Sequence, residues 1–173
     1  TPVNIIRLTA ALIFFSIFLI IRDGSPIPLD FSARAWILMS LSGVVGFFIG
    51  DLFLFKALVE IGPRVAMLIH SLAAPAAAAI GWLILGEHYS VMQWLGIIIA
   101  LMGVSLVISE KTSTKHSSSR VVRRMSLKGI MYGVGAMAGQ AGGYVLSKAG
   151  MQTETGYLDA FSATQIRALA AFF

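Results

Sequence analysis

Apolar residues run along this chain in long blocks, and polar residues gather in the short breaks between them. The first block covers Val3 to Ile21. It ends at Arg22, Asp23, Gly24, Pro26 and Pro28, where charge and two prolines oppose a continuing helix. The second runs from Ala35 to Leu58, after which Gly62 and Pro63 read as a helix stop and a helix start. The third extends from Pro63 to Gly86, and only Glu87 and His88 separate it from the fourth, Tyr89 to Ser109. So short a link predicts an antiparallel hairpin. A fifth block spans Gly129 to Ala149, and a sixth opens near Ser162 and is still apolar at Phe173. Crossing roughly 30 Å of hydrocarbon takes a helix of about 20 apolar residues with every backbone amide bonded internally. The blocks therefore predict an all-α polytopic membrane protein with five spanning helices and the start of a sixth.

Composition supports this reading. Of 173 residues, 57% are hydrophobic and 12% charged, against roughly 45–50% and about 25% in a soluble domain. So few charges cannot cover a water-soluble core of this size. The first block is too long for the apolar region of a secretion signal and lacks a small-residue cleavage site. With no cysteine, disulfides, thiolate zinc sites and thiol catalysis are excluded. The net charge of +5 would suit nucleic acid, but Lys111, Lys115, Arg120, Arg123, Arg124 and Lys128 against Glu110 supply all of it. Residues 110–128 read as a solvated basic connector, and no nucleic-acid partner is expected.

A short internal repeat adds topology. Ile6-Arg7-Leu8-Thr9-Ala10-Ala11 resembles Ile166-Arg167-Ala168-Leu169-Ala170-Ala171 at an offset of 160 residues. Five helices separate the equivalent points, and an odd number reverses the direction of crossing. Inverted halves of this kind are typical of secondary transporters, which hold substrate near the midplane. The offset implies a complete chain of roughly 300 residues. With Thr1 in place of methionine and a last run too short to span, we expect one helix before residue 1 and most of a second repeat after residue 173.

Asp51 is the costliest residue, since a carboxylate at a bilayer centre costs roughly 2.5–3.5 kcal/mol to insert. It must face protein, water or a ligand. One reading makes it a proton or cation site; the other has it reach the interface or pair locally. His70 stands beside Ser71, and Pro75 frees the Ser71 carbonyl, so this helix either offers polar backbone to a cavity or bonds a neighbouring helix. Gly135, Gly139 and Gly143 form a close-packing stripe on the fifth helix. Beside them Gln140, Tyr144 and Lys148 form a polar stripe, where Gln140 is placed to bond a substrate and Lys148 to reach the interface. Lys56 and Glu60 are spaced to pair on one helix face. Arg7 and Arg167, each near a helix start, are placed to reach headgroups or close a cavity mouth, and Trp82 and Trp94 read as interfacial anchors. No catalytic constellation, phosphate loop or metal motif is present in the sequence, so neither an enzyme nor a cofactor is expected.

The stretch Leu72-Ala73-Ala74-Pro75 through Gly81-Trp82-Leu83-Ile84-Leu85-Gly86-Glu87, followed by Gln93-Trp94-Leu95-Gly96 and Gly103-Val104, resembles the EamA-type family of the drug/metabolite transporter superfamily. Gly50-Asp51 to Lys56-Ala57-Leu58 is similar to the end of that family's third helix. The resemblance implies ten helices in two inverted five-helix repeats. This chain would supply helices two to six and part of seven: a first repeat over 1–109, the connector over 110–128, and the start of the second repeat over 129–173. It also implies a secondary transporter that moves small metabolites or drug-like solutes by alternating access, lies in the cell (inner) membrane and is able to form a homodimer. Asp51, His70 and Gln140 fall on cavity-lining helices in this mapping and are the expected substrate-binding residues. Both family termini in the cytosol would put the connector outside, whereas its positive charge favours the cytosol. The alternative reading is a membrane scaffold whose Gly135, Gly139 and Gly143 meet a partner.

Overall fold

The computed structural model of the chain describes residues 2–27, 31–113, 126–153 and 156–172. Helices make up nearly all of them: α1 (Pro2–Asp23), α2 (Ala33–Gly43), a π-helical segment (Val44–Gly50), α3 (Asp51–Ile61), α4 (Pro63–Ser71), α5 (Ala73–Ile84), α6 (Val91–Ser113), α7 (Leu127–Met151) and α8 (Ala160–Phe172). Every apolar block is helical, as its composition requires of a segment that must satisfy its own amides. A small antiparallel ladder, β1 (Gln152–Thr153) with β2 (Gly156–Tyr157), is an addition to the expected all-α pattern.

Val3–Asp23, Ala33–Ile61 and Pro63–Ile84 are long and apolar enough to cross a bilayer. The fourth block lies in α6, whose 23 residues run from Val91 to Ser113. At 25 residues α7 is long enough, but its glycines and its two lysines, Lys128 and Lys148, leave it less apolar than the other three. The helices also reach into the expected connector, since α6 continues to Ser113 and α7 begins at Leu127. Residues 114–125 of that connector lie outside the described residues.

Local chemistry explains the boundaries. Gly62 adopts φ +81° and Pro63 opens α4, a stop and start that only glycine and proline supply without strain. The third block breaks once. Leu72 N–H bonds Ile69 O at 3.2 Å, α5 restarts at Ala73, and Ala76 N–H bonds Leu72 O at 3.0 Å. Pro75 falls within the first turn of α5, where its missing N–H costs little.

The described residues divide into two compact units, Thr1–Leu52 with Gly139–Phe173, and Phe53–Ala138. In the first, α1 and α2 pack on α8, with Met39, Ala163 and Ile166 buried among Phe31, Trp36 and Met151. Arg22 pairs with Asp159 at 3.0 Å, Phe18 stacks on Phe161 at 4.5 Å, and Gln165 Nε2 donates to Ser16 Oγ at 2.7 Å. These contacts run α1 and α8 antiparallel. Asp159 also caps α8 by accepting from Ser162 N–H at 2.9 Å, and the hydrogen bond from Arg22 holds its carboxyl below the usual carboxylate range. In the second unit Ala57, Ile61 and Ala66 are buried against Val65, Ile69 and Tyr132. Trp82 and Trp94 meet edge to face at 6.2 Å and close the α5–α6 hairpin. Ile6, Ile21, Ile84 and Met92 are each more than two-thirds exposed, a surface suited to acyl chains and not to water.

Candidate functional site

The first unit holds a backbone seam. Gly43, Gly46 and Gly50 lie in or beside the π-helical segment, a geometry that recurs at functional sites. A methyl group added at Gly143 would lie 2.9 Å from Gly46 Cα, and one added at Gly139 would lie 3.0 Å from Gly50 Cα. Ser42 Oγ donates to Gly143 O at 2.6 Å and locks the register. Side chains are missing here so that two helix backbones can touch. In the second unit Gly135 packs on the Phe53 ring, 3.1 Å from where its own side chain would begin. The glycine stripe is therefore occupied within the chain, which removes the surface that the scaffold reading assigned to a partner.

Polar side chains collect at this seam. Asp51, first residue of α3, is 4% exposed and forms an ion pair with Arg7 of α1. The Arg7 side chain is half exposed. One turn earlier, Asn4 is buried and its Nδ2 donates to Phe47 O at 3.3 Å. Gln140 of α7 is 9% exposed, and its Oε1 lies 3.6 Å from where a Gly46 side chain would begin. Arg167 Nη2 lies 3.5 Å from the same point. Arg167 is 8% exposed, with its guanidinium carbon 4.3 Å above the centre of the Phe47 ring. Its Nε and Nη2 have no hydrogen-bond partner among the described residues.

Of the expected binding residues, Asp51 and Gln140 belong to this unit. His70 is half-buried in the last turn of α4, in the second unit. The Gln140 stripe divides, because Tyr144 and Lys148 are exposed while Gln140 is buried. Two placements differ from those expected. Arg167 does not reach outward to headgroups but lies inside the unit, on the face of α8 that carries buried Ala163 and Ile166. Lys56 lies over the Tyr132 ring at 5.5 Å instead of pairing with Glu60, since an aromatic face is at hand. Asn4, Ser42 and Phe47 were not singled out in the sequence. The spacing of Gly43, Gly46 and Gly50 was the available signal for the seam that they line.

At the end of α5 the second unit has a local device. The Tyr89 hydroxyl donates to Glu87 Oε2 at 2.5 Å, above Gly81, and Gly86 turns the chain at φ +65°. The hydrogen bond to the carboxylate, aided by burial, pushes the phenol up to about 12. Glu87 thus closes a helix end.

The buried ion pair, amide and guanidinium can bind and orient a polar solute by charge and hydrogen bonding. The model of the EamA-like transporter family matches residues 1–109, a stretch that includes Arg7, Asp51 and His70. No curated protein and no solved structure matches the chain.

Proposed function

We propose, from the premise that the chain belongs to the EamA-like transporter family, that this integral membrane transporter is a secondary permease. It moves small metabolites or drug-like solutes across the cell membrane by alternating access. Asp51, His70 and Gln140 bind the solute, residues 1–109 form one repeat, and residues 129–173 open a second. The antiparallel course of α1 and α8, which carry the Arg7 and Arg167 segments, supports inverted repeats.

The Asp51–Arg7 ion pair carries this reading. A buried carboxylate whose partner is half exposed can exchange that partner. A proton on Asp51 would release Arg7 toward the interface, where a long side chain is easily solvated. Such an exchange gives a charge-dependent element in the membrane interior, where charge is otherwise excluded.

Reconstituted protein is expected to catalyse counterflow of a labelled solute from a metabolite panel, and Asp51→Asn is expected to alter both its rate and its pH dependence. An unchanged rate and pH profile would remove the coupling role. Absence of counterflow for every solute would remove the permease reading.

A further inference from the structure

Among the described residues Arg167 is a buried cation without a matching anion. The described carboxylates of its unit are Asp23, Asp51 and Asp159; Asp51 faces Arg7, and the other two face Arg22. The Phe47 ring covers one face of the guanidinium and stabilises it in part, but a ring supplies no lone pairs for its N–H groups. Nε and Nη2, the two nitrogens without partners among the described residues, carry parallel N–H bonds along one edge of the guanidinium. Two parallel donors match the two oxygens of a carboxylate. Gly46 leaves the space beside Nη2 without a side chain, and Gln140 borders the same space. Its amide can turn to offer N–H to an anion.

We propose that Arg167 is a substrate-binding residue that, with Gln140, receives the carboxylate or a similar oxyanion group of the transported solute. This rests on the transporter reading and names its solute class: small organic anions. Asp51 does not oppose such a ligand, because Arg7 already offsets its charge.

The test uses the full chain in dodecyl maltoside, with thermal unfolding followed by the fluorescence of its three tryptophans. Benzoate and acetate are compared with the uncharged benzamide and acetamide. Saturable stabilisation by the anions, at least tenfold tighter than by the amides, is expected. Arg167→Gln should abolish the preference and Arg167→Lys should retain part of it. Gly46→Ala meets its neighbours at ordinary contact distances, 3.5 Å from Nη2. It should keep the unliganded midpoint while weakening benzoate binding about tenfold, and it decides the matter if Arg167→Gln does not fold. Equal responses to benzoate and benzamide, or an anion preference that survives both Arg167→Gln and Gly46→Ala, would overturn the proposal. So would Arg167-dependent stabilisation by phosphatidylglycerol with none by benzoate, which would make the ligand a lipid headgroup. Counterflow of uncharged solutes separates the two readings: if it persists while the anion preference is absent, only the Arg167 assignment fails.

Discussion

The Asp51–Arg7 pair predicts unequal costs for removing its two ends. Arg7→Gln removes the ion-pair partner of Asp51, which is 4% exposed, and breaking a buried pair by taking away one member costs about 3–5 kcal/mol. Asp51→Asn strands Arg7 instead, but that side chain is already half exposed and can extend to the interface, so the expected cost is about 1 kcal/mol. The double substitution should fall close to Asp51→Asn alone, which leaves a coupling energy of about 2 kcal/mol or more. Equilibrium unfolding from dodecyl maltoside into sodium dodecyl sulfate, followed by tryptophan fluorescence, measures all three. If Asp51→Asn costs as much as Arg7→Gln, or if the two effects add, the asymmetry argued from burial is wrong.

Other expectations rest on separate contacts. Gly143→Ala drives a methyl group to 2.9 Å from Gly46 Cα and should cost about 1–3 kcal/mol by overpacking. Gly142→Ala, whose nearest neighbour would be Val45 Cγ1 at 3.7 Å, should be neutral or stabilising by about 0.5–1 kcal/mol in the same assay. Tyr89 has a folded-state pKa of about 12 against an ordinary value of 10.0. Its bond to Glu87 therefore contributes stability that is fully present below about pH 10 and lost as pH rises through about 12. Ultraviolet titration should show a late tyrosine transition that vanishes in Tyr89→Phe. Ser118→Cys would be the sole thiol in the chain. If positive charge sets the orientation, an impermeant maleimide should label it from the cytosolic side only; labelling from outside would favour the family's expected topology.

The helices were legible because bilayer crossing writes a coarse signal: a long apolar run with glycine or proline at its ends, as at Gly62-Pro63. Asp51 and Gln140 were legible for the opposite reason, since a polar residue within such a run has to be buried against something. What it is buried against is not written locally. Asp51 meets Arg7 across 44 residues, and Arg167 meets Phe47 across 120. The sequence repeat makes the two arginines look alike, yet packing separates them. Arg7 lies on a largely exposed helix and reaches a carboxylate, whereas Arg167 lies on the buried face of α8 and reaches a ring. The π-helical segment was also hidden, because no residue pattern distinguishes it from a glycine-containing α-helix. It places Phe47 under Arg167 and, at its end, sets Asp51 beside Arg7. Two copies of one dipeptide on antiparallel helices thus end in different electrostatic states, one cation neutralised and one with two donors unpaired among the described residues. The interior of this unit therefore carries uncompensated positive charge among its described residues, and a solute bearing negative charge would complete it.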